Sequence, residues 1–453
     1  MRAVLGPGGI LRGRRCLDRW LCLFTEVHTG EGLSALLLAA NIFCLLASYY
    51  LLKTVREALI LSEGGAEVKS YAAGVQAIML LMIVPAYGAF ASRVNRIRLI
   101  NGVMLFFVSN LMVFHQLAAR GVHVGVAFFL WVGVFNLMVV AQFWAFANDL
   151  YTQERGQRLF PVIGIGGSLG AWVGAKLAST LMAAHAAPSQ LLLIAAAGLI
   201  VCVGITHGVN QRERSSPERA GTGRPDEPLG RDGGFRLILT SRYLRLIALL
   251  VILLNVVNTI GEFLLGKLVV AEASRTIADG AAAGLTKSQL IGIFYGDFFG
   301  WVNLVSFLVQ LFVVSRVFKR IGVRGALFVM PLVAFVSYGV LILLPALAAV
   351  RIGKIVENST DYSLQNTARQ ALFLPTSREA KYKAKQAIDA FCWRAGDVLQ
   401  AVVVFIGVRL AFGVPEFAML NQLLVLLWLA VVVGIYREHE TLVANDESER
   451  IAA

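Results

Sequence analysis

The sequence predicts an all-α integral membrane protein of about twelve transmembrane helices in two six-helix halves. Three observations carry this. Hydrophobic residues make up 57% of the 453 and charged residues only 15%, against about 25% charged in a soluble domain. Apolar runs near the ~20 residues that cross a bilayer recur along the whole chain. One polar, Arg-rich stretch, residues 209–242, divides those runs into two equal groups.

Residues 1–32 carry Arg12, Arg14, Arg15 and Arg19 around a short apolar patch, residues 20–24. That patch matches a signal-peptide core poorly. An organelle transit segment is an alternative, and the preferred reading is a basic interfacial arm. The first half, residues 33–208, then supplies expected spans at 33–59, 71–91, 99–117, 124–147, 162–182 and 190–208. The Arg/Gly/Pro-rich linker 209–242 has the composition of disorder. The second half, 243–436, supplies 243–265, 290–314, 326–344, 346–373, 384–412 and 418–436, with a tail at 437–453. Several of these exceed the minimum length and contain polar residues, which predicts tilts, kinks or a lined cavity.

The net charge of +13 follows the membrane, not a nucleic acid. With both termini cytosolic, the inner loops hold Arg93, Arg96 and Arg98, Arg155 and Arg158, seven arginines of the linker, Arg316 to Arg324, and Arg378 to Lys385. The outer loops are poor in Lys and Arg, which is the positive-inside pattern. Membrane lipid is therefore an expected partner, and no obligate protein partner is evident. The cysteines at 16, 22, 44, 202 and 392 show neither disulfide nor metal spacing, and the histidines form no ligand motif. No nucleophile–base pair stands out, so the chain does not read as an enzyme and no cofactor or metal is expected.

The informative residues are charges inside spans. In LLKTVREALIL, Lys53, Arg56 and Glu57 stand at i, i+3 and i+4 and share a helix face. Each unpaired charge at the bilayer centre costs about 2.5–3.5 kcal/mol, roughly 8–10 for three. A Lys53–Glu57 pair would offset part of this and leave Arg56 facing an anion. The alternative is snorkelling to the headgroups. Further stripes occur in span seven (Asn255, Asn258, Thr259, Glu262), span eight (Asp297), span ten (Glu357, Asp361, Gln365, Arg369, four apart) and span eleven (Asp389, Trp393, Arg394, Asp397, Gln400). Polar glue between helices is one reading; a shared wet chamber better accounts for four spans bearing both signs. The run GIGGSLGAWVGA at 164–175 lacks the lysine of a phosphate loop. Its glycines at 166, 170 and 174 recur every four residues, which suits close helix packing.

Two echoing halves around a basic central loop is the layout of major-facilitator transporters. The chain also resembles the nucleotide transporter family, the ATP/ADP translocases of intracellular bacteria and plastids. The resemblance is carried by LLKTVREALIL with GGAEVKSY, FWAFANDLYTQERGQRLFPVIGIG, FYGDFFGW, and DYSLQNTARQALFLPTSREAKYKAKQAIDAFCWRAGDVLQ, over residues of about 41 to 410. It implies exchange of nucleotides by alternating access, without hydrolysis, in a bacterial inner membrane. It places the family's functional charges on Lys53, Arg56, Glu57, Glu262, Lys381, Lys383 and Lys385, with Arg158 in a comparable place after span four. Two departures stand out: Arg56 where the family usually has Lys, and Gln370 where it usually has an acid.

The expected substrate-binding set is thus Lys53, Arg56, Arg369, Lys381, Lys383, Lys385 and Arg158, since phosphate calls for Arg or Lys. Tyr50, Trp144, Trp301 and Trp393 are candidates to stack on a base. Glu57, Glu262, Asp297, Asp361 and Asp389 are the expected pairing or coupling carboxylates. The solute is a small anion, a nucleotide or another phosphorylated metabolite. Two other readings stay open: a proton-coupled carrier of another organic anion, and a membrane structural protein without transport.

Overall fold

The first 61 helical residues, Glu31–Ala91 (α1), contain two spans. Gly65 separates them with φ 75° and ψ −174°, a left-handed conformation open to glycine. The helix folds back there: Lys69 Nζ lies 2.7 Å from Glu57, whereas a straight helix would hold those positions about 18 Å apart. This is a computed structural model, and it describes residues 31–91, 96–151, 153–214, 234–377 and 379–452. The basic arm, apart from its last two residues, and most of the linker lie outside them.

The remaining helices are α2 Arg96–Ala119, α3 Gly125–Leu150, α4 Gln153–Ala183, α5 Pro188–Arg214, α6 Gly234–Thr240, α7 Arg242–Ala278, α8 Lys287–Phe312, α9 Val314–Ala326, α10 Val329–Leu343, α11 Leu347–Thr360, α12 Asn366–Ala371, α13 Lys385–Ala387, α14 Trp393–Arg409 and α15 Val414–Ala452. Turns of π-helix join some of them, at Asp361–Gln365, Ala380–Ala384 and Ile388–Cys392. Nine described helices are long and apolar enough to span, or ten when the bent pair α9–α10 counts as one. The fold-back in α1 supplies another leg, and the π-interrupted run from α11 to α12 completes the set. In span ten the π turn divides the helix into short pieces.

The ends of the spans alternate between two sides. Among the described residues, the linker end holds 31, 150–151, 153, 214, 234–242, 372–377 and 379–385; the far end holds Gly65 and residues 119–125, 183–188 and 278–287. Part of the stretch read as linker is helical: α6 buries Ile238 and sets Phe235 against Phe391. The expected tail continues α15, with Glu438 and Glu440 paired to Arg242 and Arg324.

Two apolar cores form: one within the first half, and one that fills the second half and takes in Ile60, Leu61, Ala66, Ala72, Phe129 and Ala175 of the first. In the first, Gly166, Gly170 and Gly174 of α4 face α1 so closely that a Cβ would run into the carbonyls of Ala39, Phe43 and Ala47. The glycine run is therefore a packing seam, and side chains there would push the two helices apart. At the far end the halves touch. Gln400 donates to Ser70 Oγ at 3.1 Å, Gln289 to the Ala186 carbonyl at 3.2 Å, and Ser179 to the Ile293 carbonyl at 3.2 Å. Lys267 lies 3.5 Å from Glu67. Toward the linker end the halves separate and leave a cavity.

Candidate functional site

That cavity has a volume of about 730 Å³. Its walls run from Lys53 and Asn303, near mid-span, to Ile42, Trp144, Gly164, Gln310 and Thr367 nearer the linker end. A second space of about 290 Å³ continues toward the far end, sharing Tyr49, Lys53, Asp361, Tyr362 and Trp393 with the first. Both halves line both spaces, and the far-end contacts close the roof.

The helix face of α1 brings Lys53, Arg56 and Glu57 to these spaces together, through the 3.6-residue period. Their pairing differs from the sequence expectation. Glu57, 1% exposed, binds Arg56 at 2.5 Å and Lys69 at 2.7 Å, not Lys53. The cause is the fold-back at Gly65, which delivers Lys69 to the same carboxylate. Arg56 also lies over the Phe129 ring at 4.6 Å. Lys53 has no ion pair among the described residues; its ammonium sits over Phe299 at 4.2 Å and Tyr50 at 5.1 Å. Ring faces hold a cation weakly and leave its hydrogen-bond capacity open.

Across the cavity, Arg369 is the counterpart. Its guanidinium lies 5.0 Å over Trp393 and donates to Asn366 at 3.3 Å. It too has no ion pair among the described residues, and its buried Nε lacks a partner. Asp361, buried, faces both spaces from the π turn. Such turns often mark functional positions because they re-aim side chains. Here the turn divides the expected four-residue seam. Asp361 and Arg369 face the cavity, Glu357 turns to Lys354 at 3.1 Å, and Gln365 is buried with neither amide atom partnered among the described residues.

The span-seven stripe of Asn255, Asn258, Thr259 and Glu262 lines the second space. So do Trp393, Arg394, Asp397 and Gln400 of α14. Other expected residues are elsewhere. Arg158 lies 3.2 Å from Glu31, beside Arg155 at 2.9 Å, where α4 meets the start of α1. Lys381, Lys385 and Asp389 line a shallow space at the linker end, and Lys383 and Asp389 a lateral one beside Leu80 and Phe391. Asp297 pairs with Lys176 at 2.5 Å, joining α4 to α8. Trp301 is half exposed on the outer surface, whereas Tyr50, Trp144 and Trp393 line the main cavity. Among the described residues no cluster of His, Cys, Asp and Glu could hold a metal.

Sequence reasoning missed two cations. Lys69 follows the glycine pair at the far end, where it resembles a loop lysine. Lys354 falls near the start of its span, where a snorkelling lysine would be ordinary. The signal available for Lys354 was its spacing to Glu357, i and i+3.

A family model described as TLC ATP/ADP transporter matches residues 126–439. The chloroplastic ADP,ATP carrier protein 2 of Arabidopsis thaliana is 23% identical over 351 residues, covering 70% of this chain and 54% of its own. ADP,ATP carrier protein 1 of Chlamydia trachomatis is 22% identical over 336 residues, covering 65% and 61%. That of Rickettsia bellii is 21% identical over 355, covering 69% and 68%. The chain thus spans about half to two thirds of the length of these relatives. Among solved structures, a bacterial homologue of the iron transporter ferroportin in an inward-facing state superposes with a TM-score of 0.62 at 13% identity, covering 89% of this chain and 98% of its own. The nucleoside transporter NupG gives 0.58 at 13% identity, covering 89% and 97%. These likenesses concern fold, and the architecture is major-facilitator-like. With helices of both halves inside the family match, the chain belongs to the TLC ATP/ADP transporter family.

Proposed function

We propose that the chain carries nucleotides across a bacterial inner membrane by alternating access, exchanging ATP for ADP, with both of its ends cytosolic. The observation that carries this reading is the pair Lys53 and Arg369. One comes from each half, neither has a carboxylate partner among the described residues, and both face one cavity. Cations left without counter-ions in a site open to water are poised for phosphate oxygens, with Arg offering a planar fork and Lys a point charge. Their seats over Tyr50, Phe299 and Trp393 put aromatic surface beside them for a base. The cavity volume lies within the range of small-molecule sites.

Binding would draw the two halves together over the anion. The Ser70–Gln400, Gln289–Ala186 and Lys267–Glu67 contacts would then open as the linker end closes. The two states differ in contacts to the ligand, so the ligand can shift their balance. The positive-inside distribution of Arg and Lys supports the orientation.

The test uses the purified chain in liposomes. Labelled ATP should enter when ADP or ATP is inside and stay out when the lumen holds neither, and an uncoupler should leave that obligatory exchange running. Uptake that needs no internal nucleotide and collapses with the uncoupler would overturn exchange in favour of ion-driven uptake. No nucleotide movement under any loading would overturn the substrate class.

A further inference from the structure

The second half buries a charge cluster that phosphate binding does not use. Lys354 is 2% exposed and Glu357, one turn later, 0%. Lys354 Nζ donates to Asn258 Oδ1 at 2.6 Å and to the Asn258 carbonyl at 3.1 Å. It lies 3.1 Å from Glu357 Oε1 and 3.9 Å from Glu262 Oε1. Tyr338 of α10 donates to Glu357 at 3.1 Å, and Asn358 to Glu262 at 2.8 Å. The other polar contacts around the cluster are neutral: Ser359 to the Val302 carbonyl of α8, and Asn421 of α15 to the Val257 carbonyl.

One ammonium therefore stands between two carboxylates. The cluster holds one negative charge beyond what Lys354 can neutralise; Glu357 is sealed from water, whereas Glu262, 21% exposed, meets the second space. The two carboxylates are not equivalent. Glu357 has the short contact and is sealed. Glu262 has the long one and lines the second space together with Lys53.

We propose that Glu262 is a proton-binding site, and that this carrier takes up a proton together with its anion. The proposal rests on the anion-binding reading above. A proton from the solution in the cavity adds to a Glu262 carboxylate oxygen and gives the neutral acid; Lys354 then serves Glu357 alone. An anion held between Lys53 and Arg369 brings negative charge to the same chamber, which strengthens proton binding at Glu262. By linkage the proton strengthens anion binding by the same factor. The other charges around the second space are Lys53, Arg56, Glu57 and Lys69 of α1, Asp361, and Arg394 with Asp397 of α14. Glu57 and Asp397 already hold cations. Asp361 holds none among the described residues, and it is the competitor the test must separate.

The experiment counts protons as ATP and ADP bind the purified full chain, by calorimetry in two buffers of different ionisation enthalpy. The parent should take up as much as about one proton per anion bound. Glu262→Gln should take up none. Glu357→Gln should also take up none, because Lys354 is released to neutralise Glu262. Asp361→Asn should keep the parent count. The proposal is overturned if either glutamine variant retains the parent count, if Asp361→Asn alone abolishes it, or if the parent takes up none at any pH where it stays folded. If neither nucleotide binds, the nucleotide reading fails, and the proton site is judged by infrared titration of the ligand-free protein. A protonated-carboxyl band lost in Glu262→Gln supports the site, and a band unchanged in that variant overturns it.

Discussion

The two halves meet one cavity with opposite charge arrangements. In the first half a single carboxylate, Glu57, is held by two cations, Arg56 and Lys69, and Lys53 is left over. In the second a single buried ammonium, Lys354, is shared by Glu357 and Glu262, and Asp361 is left over. Arg369 breaks the acidic character of that wall by facing the cavity with no counter-ion among the described residues. The difference teaches that the number of charges does not make an anion site. Most are consumed by ion pairs, and among the described residues Lys53 and Arg369 are left facing the cavity without one.

The largest effect that would break this comparison is on stability. Lys354→Gln leaves Glu357 sealed with only Tyr338, and should cost about 3–5 kcal/mol of unfolding free energy. Glu57→Gln strands two cations, but at a cavity wall that water reaches, and should cost about 1–3 kcal/mol. Thermal melts of the two variants in one detergent decide it; the reverse order would mean that the first half, not the second, holds the costly buried charge.

Ligand affinity sharpens the same contrast. Lys53→Ala and Arg369→Ala should each weaken ATP binding about ten- to hundredfold, the value of ~1.5–3 kcal/mol for a charge-assisted contact. Arg56→Ala should do less, because Glu57 already occupies that guanidinium. Calorimetric titration measures all three, and equal losses would erase the distinction between paired and unpaired cations.

Smaller effects belong to the ends of the bundle. Gln400→Leu removes the Ser70 contact between halves and should shift the balance toward a far-side opening by about 1 kcal/mol, roughly fivefold. Labelling of a cysteine placed at Ala401 from the far side would rise accordingly. Replacing Lys381 and Lys385 by Ala, outside the main cavity, should change affinity by no more than about 0.5 kcal/mol. It should slow association at low salt and leave it unchanged at high salt.

Much of the fold was legible because lipid imposes a one-dimensional code. A span must be apolar over about 20 residues and must satisfy its own backbone, so runs of hydropathy mark helices without any knowledge of their neighbours. The α4 glycines were legible for a similar reason: a four-residue repeat of missing side chains is a flat helix face. The π turn at Asp361–Gln365 was not, since one extra residue in a turn leaves no compositional trace. It redirected a seam that even spacing had drawn as a single face.

The sequence by itself determined the solvent, the all-helical membrane architecture, the glycine seam, and the fact that Lys53, Arg56, Glu262 and Arg369 carry charge where lipid would penalise it. Only the tertiary structure decided which charge meets which. The fold-back at Gly65 gave Glu57 to Lys69 and released Lys53, and the approach of α7 to α11 set one lysine between two acids. Burial within a helix is a local property that hydropathy encodes. A pair such as Lys354 with Glu262 depends on a distance of a few ångströms between residues far apart in the chain, and no local pattern records that.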